Sequence, residues 1–251
     1  AISLPSLKNI EKASLRQAHI RILALDGSPV FQFGSHYGKP VRLEHLPVLL
    51  PKALLATEDR RFYKHFGIDL IGIIRALGRN IKAGRIIQGG STITQQLAKN
   101  LFLTQERTLS RKIRETLLAF WLENRFTKDQ ILTIYLNRAY VGSGLFGVTA
   151  AAQYYFGKAP SSLELFETAV IIGLLKAPNR YNPSVYPKRA AERANQVLRN
   201  MVGAGYLSKE IMHRQFRKNV KTVTNKISRT GSRYFADWIL KRAEGFLGRL
   251  D

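Results

Sequence analysis

The chain has 251 residues, 45% of them hydrophobic, which suits one domain with at most a small appendage and excludes a disordered chain. Its 40 Lys and Arg against 17 Asp and Glu give a formal charge of +23, which points to a polyanionic partner: nucleic acid, an acidic membrane face or a phosphorylated substrate. With no cysteine, disulfide frameworks and thiolate metal sites are excluded, while the redox compartment stays open.

The chain opens on Ala1 without a charged n-region and apolar h-region, so no signal peptide is expected. Its apolar runs, such as Ala169 to Leu175, fall short of the ~20 residues that span a bilayer, and it reads as a fragment. From His19 to Phe33, apolar and polar residues alternate around Asp26–Gly27, a turn dipeptide that predicts two short hairpin strands. From Leu46 to about Tyr206 the apolar period is helical, with breaks near Gly67, Gly84, Gly89–Gly90, Gly142–Gly144, Gly157 and Pro178–Pro187. A polar basic stretch over 218–230 reads as a linker, and Ser232–Ile239 as the start of an amphipathic helix or strand.

Within the helical region, Glu58 follows Leu54 by four residues and Leu50 by eight, which puts a carboxylate on an apolar face that Phe62 and His65 continue. Partial desolvation suits a carboxylate to proton transfer; a buried ion pair with Arg61 or His65 is the competing account. Over Leu70–Ile87, Leu70, Ile74, Leu77 and Ile81 form one stripe and Arg75, Arg79 and Lys82 another, the pattern of a helix at an anionic membrane surface or of an ordinary core helix.

Gly89 to Asn100 reads as a loop and a helix capped at Ser91, with Thr92, Gln96 and Lys99 on a polar face and Ile93, Leu97 and Leu101 on the buried one. Hydroxyl, amide and ammonium groups suit phosphate or sugar hydroxyls, though a solvated face looks the same. On the next helix Arg107, Arg111 and Arg114 make a cationic row beside Lys112 and Glu115, with Ile113, Leu117 and Phe120 expected in the core. Such a row can neutralise a pyrophosphate leaving group, the carboxylate pairing with an arginine or holding a metal ion; solvated surface is the alternative. Gly142 to Gly147 matches G-x-G-x-x-G but follows a helical pattern, Ile131 to Asn137, so a turn between helices is the better account than a dinucleotide site.

Together these segments resemble the ordered motifs of the peptidoglycan glycosyltransferases, glycosyltransferase family 51. Glu58 to Asp69 fits E-D-x-x-F-x-x-H-x-G-x-D at every fixed position, and Gly89 to Asn100 fits G-G-S-T-I-T-Q-Q-L-x-K-N without exception. Arg111–Lys112–Ile113–Arg114–Glu115 carries Arg114 where the family commonly has Lys, a planar fork in place of a point charge. Ile131 to Asn137 carries Thr133 where Glu is usual, and Ala151 to Lys158 fits the fifth motif.

The resemblance implies a mainly α fold: a lysozyme-like lobe with a smaller membrane-associated jaw at about 70–88 and a short N-terminal β-hairpin. It divides the chain into an N-terminal segment 1–45 after an absent membrane anchor, a glycosyltransferase domain 46–217, and a linker 218–251 toward an absent transpeptidase domain. No Ser-x-x-Lys or Lys-Thr-Gly is present, as expected for a piece of a bifunctional class A penicillin-binding protein; a monofunctional enzyme is the runner-up.

It also implies that Glu58 is the general base for the acceptor GlcNAc 4-hydroxyl, which attacks the anomeric carbon of the lipid II donor. Undecaprenyl pyrophosphate leaves with inversion, held by Lys99, Arg107, Arg111, Lys112 and Arg114. Glu115 supports that site directly or through a divalent cation, Mg or Mn, no cofactor being obligatory. Asp59, Phe62, His65, Thr92, Gln96 and Asn100 shape the donor and acceptor sites. The implied partners are lipid II, the growing glycan strand, the membrane surface, the inhibitor moenomycin and other cell-wall synthesis proteins, on the extracytoplasmic side of the bacterial cytoplasmic membrane. A lysozyme-like hydrolase would not need the cationic cradle, and a nucleic-acid protein would need a readout element that the sequence does not offer.

Overall fold

A computed structural model describes residues 20–23, 25, 29–33, 36–85, 89–103, 108–216 and 219–223. Two strands, β1 (Ile20–Leu23) and β2 (Pro29–Phe33), pair antiparallel, while the Asp26–Gly27 turn lies outside the described residues. A second two-stranded sheet joins β3 (His36–Tyr37) to β4 (Leu145–Phe146) in parallel. The rest is helical, as expected: α1 (Leu49–Glu58), α2 (Leu70–Ala83), α3 (Ile93–Phe102), α4 (Leu109–Arg125) and α5 (Lys128–Arg138) come first. They are followed by α6 (Val148–Ala151), which runs into a π-helical turn at Ala152–Phe156, then α7 (Leu165–Leu174), α8 (Pro187–Gly203) and α9 (Lys209–Gln215). The expected linker over 218–230 and the segment Ser232–Ile239 lie largely or wholly outside the described residues.

The core is built around α7, apolar apart from Glu167 and Thr168 in its first turn, with Phe166, Ala169, Val170, Ile171, Ile172 and Leu174 all buried. So apolar a helix must be largely enclosed, and α1 and α8 pack along it. Gly173 permits the close approach of α8, since a methyl there would meet Arg193 Cγ at 2.9 Å. A second group, α3 with α4 and α5, closes the other side of the core through Ile93, Leu97, Leu122, Ile131 and Leu132.

Helix starts are specified by capping. Thr92 and Gln95 form a capping box at α3, as do Thr127 and Gln130 at α5. The cap of α3 is therefore Thr92 rather than the expected Ser91, because the Thr92 hydroxyl is buried and both accepts from Gln95 N and donates to the Gly67 carbonyl.

Two further expectations are corrected. The face of Glu58 does not continue helically to Phe62 and His65: α1 ends at Glu58, Asp59 leaves the helical conformation at φ −157° and ψ 84°, and a 3-10 turn carries Phe62. On α4, Ile113 and Leu117 are exposed by 62% and 44%, whereas Glu115, Leu118, Ala119 and Leu122 point inward. The inward stripe is polar at its start because it must meet polar groups of the α3 segment: Gln95 donates to Thr116, and Lys112 to Ser91.

The turn after α5 closes on Asn137, whose side chain accepts from Val41 N and donates to the Val41 and Thr133 carbonyls. Gly142 to Gly147 forms this inter-helix turn, as read from the sequence. Gly147 sits at φ +84° with its α-carbon against the Asn137 backbone, where a methyl would meet the carbonyl oxygen at 2.5 Å. Gly147→Ala is expected to lower the unfolding free energy by about 2 kcal/mol or more. Urea denaturation checks this, and an unchanged midpoint would contradict it.

Candidate active site

A cleft of about 670 Å³ opens where the C-terminus of α1, the loop before α3, and the faces of α2 and α8 meet. Glu58 lines it from the end of α1, whose Leu50 and Leu54 are fully buried. One carboxylate oxygen accepts from Gln96 Nε2 at 3.2 Å, and the other faces Arg193 Nη2 at 3.7 Å. Tyr135, on α5, donates its hydroxyl to Gln96 Oε1 at 2.8 Å. Each oxygen therefore has a neighbour on a different helix, with lone-pair capacity left for a proton donor from the cleft.

The two other carboxylates lining the cleft are committed to structure. Asp59 is buried, accepts from Ile93 N at the start of α3, and lies 3.0 Å from His65 Nε2. It thus ties the end of α1 to the start of α3, the helix bearing Gln96 and Lys99. Asp69 accepts from Arg61 Nε at 3.1 Å.

The remaining charged lining is cationic: Lys99 from α3, Arg75 and Arg79 from α2, Arg60, Lys176 and Arg193. Burial lowers the proton affinity of Arg60, and the nearby Arg79 and Arg75 lower it further. Arg193 is also lowered by burial, an effect that the Glu58 charge opposes. Like charges gathered in one cleft favour an anionic occupant.

Of the residues singled out in the sequence, Glu58, Asp59, Thr92, Gln96 and Lys99 line this cleft, and so do Arg75 and Arg79, which the sequence pattern sets in a membrane-surface stripe. Phe62 does not: it is 1% exposed, in the core, with Lys128 Nζ 4.4 Å from its ring centre. His65 turns to Asp59, and Asn100 is exposed on α3 outside the lining. On α4, Arg111 Nη1 donates to Glu115 Oε2 at 2.9 Å and Lys112 donates to Oε1, so both oxygens of the buried Glu115 are occupied. Lys112 also reaches Ser91, at the cleft margin, at 3.0 Å. Arg114 is exposed, and Arg107 lies outside the described residues. A metal ion at Glu115 does not fit this donor set, and no three His, Cys, Asp or Glu converge among the described residues.

Arg60, Lys176, Arg193, Gln196 and Asn200 were missed as lining residues. A usable signal existed on α8, where Ala190, Ala194, Val197, Leu198 and Met201 form the buried stripe and Arg193, Gln196 and Asn200 stand beside it.

The family model described as Transglycosylase matches residues 26–202, more than half of the chain. Penicillin-binding protein 1A of Aquifex aeolicus is 50% identical over 199 residues, covering 79% of this chain and 27% of that protein. Penicillin-binding protein 1A of Escherichia coli is 46% identical over 207 residues, covering 82% and 24%. A solved structure of penicillin-binding protein 1A from Haemophilus influenzae aligns over 90% of this chain and 24% of its own, with a TM-score of 0.56 and 25% identity. The chain thus spans about a quarter of the length of these relatives. By the match over residues 26–202 and these identities, the chain belongs to the transglycosylase family.

Proposed function

We propose that the chain is a peptidoglycan glycosyltransferase that polymerises lipid II into β-1,4 glycan strands in bacterial cell-wall synthesis. The observation that carries this reading is the composition of the cleft: one carboxylate with free accepting capacity, Glu58, among cations and amides. Glu58 takes the proton of the acceptor GlcNAc 4-hydroxyl. That oxygen bonds to the donor's anomeric carbon as the bond to undecaprenyl pyrophosphate breaks, with inversion. Negative charge grows on the departing pyrophosphate, and Lys99 meets it while Arg111, Lys112 and Arg114 supply positive potential from α4. The phosphate of moenomycin would compete for the same cations. A lysozyme-like hydrolase shares the single carboxylate but has no use for this excess of positive charge.

The substrate's lipid places the reaction at a membrane, and α2 suits that surface. Leu70, Ile74, Leu77 and Ile81 are 69%, 71%, 58% and 72% exposed, so the core-helix alternative left open by the pattern does not apply. No helix among the described residues is long and apolar enough to cross a bilayer. The exposed apolar stripe favours seating at the outer face of the cytoplasmic membrane, while Arg75 and Arg79 of the cationic stripe line the cleft.

Three outcomes are expected. Glu58→Gln keeps the fold and lowers the rate of lipid II polymerisation by roughly 10²–10⁴-fold, the usual cost of losing a general base; near wild-type polymer formation would defeat the assignment. Ile74→Asp with Leu77→Asp, both at exposed positions, weakens co-sedimentation with phosphatidylglycerol liposomes, and unchanged co-sedimentation would remove α2 from the membrane face. Since Glu115 is occupied by Arg111 and Lys112, chelation with EDTA leaves the rate unchanged. Loss of activity restored by Mg or Mn would contradict that.

A further inference from the structure

Glu58 works only if its carboxylate is held facing the cleft without being neutralised. The groups around it are Gln96 and Lys99 on α3, Arg193 on α8, Lys176 beyond α7, and its chain neighbours Asp59 and Arg60. Gln96 is the only one in direct hydrogen-bond contact among the described residues, and the carboxylate, able only to accept, selects which end of that amide it meets. Its two ends have nearly the same shape and opposite chemistry: Nε2 toward Glu58 donates to the carboxylate, whereas Oε1 in that place repels it.

We propose that Tyr135 is a positioning residue for the base: by donating to Gln96 Oε1 it holds the amide in place, so that Nε2 stays within reach of Glu58. Tyr135 is 2% exposed, on α5, and has no role in the reaction scheme above. Burial and the nearby Glu58 charge push the hydroxyl well above the usual tyrosine range, so it stays protonated and remains a donor. Turning the amide around would set Oε1 against the carboxylate, so Glu58 selects the orientation and Tyr135 fixes the position of the amide. Arg193, at 3.7 Å from the second oxygen, limits rotation about the remaining carboxylate torsion.

This inference rests on Glu58 being the base, and the test separates the two. Tyr135→Phe is compared with Tyr155→Phe, which removes an equally buried hydroxyl that donates to the Val141 carbonyl at 3.0 Å, away from the cleft. Both lose one buried hydrogen bond, so both carry a similar cost to stability. The expected result is a roughly ten-fold fall in kcat for Tyr135→Phe, part of the loss from removing the base, with KM within about two-fold. Tyr155→Phe keeps both constants near wild type. An activity-independent readout is the side-chain amide of Gln96 in ¹⁵N-glutamine-labelled protein, assigned by its loss in Gln96→Asn. Its protons should exchange slowly in wild type and Tyr155→Phe, and as in an exposed glutamine in Tyr135→Phe. Unchanged exchange in folded Tyr135→Phe, or altered exchange with wild-type kcat, would overturn the proposal. So would fast exchange in wild type, a measurement that stands even if Tyr135→Phe fails to fold. Altered exchange in a chain whose wild type polymerises nothing would support the Tyr135–Gln96 lock and defeat the glycosyltransferase reading instead.

Discussion

A carboxylate set among guanidinium and amide groups must be anchored by them without being consumed by them, and the fold around Glu58 meets that constraint. Glu58 is the last residue of α1, where the helix stops and the chain turns away. Its backbone is fixed by Leu50 and Leu54, buried against the core. Its side chain is approached by α3 and α8 at hydrogen-bond and near-contact distance. Asp59, the next residue, joins α1 to α3, the helix that brings Gln96 and Lys99 into the cleft that Glu58 also lines. Adjacent acids thus have different duties because one is buried against a histidine and a helix N-terminus and the other is left open to the cleft.

The same division separates α4 from the cleft. Arg111 and Lys112 lie close to Glu115, so part of the row's charge is neutralised locally, while Lys99 remains exposed on the cleft wall. A buried carboxylate bracketed by two cations fixes the side chains that project from the first turns of α4, at the cost of weakening their field. The apolar residues of that helix that face outward, Leu109, Ile113 and Leu117, lie on the opposite side from this cluster. Together with the exposed stripe of α2 they leave apolar surface that a soluble core would have claimed.

Much of this was legible in the sequence because its signals are local. Glycine breaks and the 3.6-residue period predict helices wherever they act within one turn, and the breaks at Gly84, Gly142–Gly144 and Gly157 fall where expected. What was not legible depends on pairing between distant segments. Whether Ile113 faces in or out is decided by Ser91 and Gln95 reaching for α4, which periodicity along α4 alone does not reveal. Phe62 carries the spacing of a site residue yet fills the core, because the chain leaves the helix at Asp59 and redirects the ring. Arg193 and Tyr135 join the site only through the packing of α8 and α5, more than 70 residues from Glu58 in sequence and beside it in space.

The central claim is that one cleft holds the acceptor sugar against Glu58 and the donor pyrophosphate against Lys99. A crystal structure of the Glu58→Gln variant with a non-hydrolysable lipid II analogue tests it most directly. The account predicts the GlcNAc 4-hydroxyl oxygen about 2.6–3.2 Å from the side chain at position 58 and phosphate oxygens in contact with Lys99 Nζ. An analogue bound with its sugar away from position 58, or with its pyrophosphate outside the cleft, would contradict it.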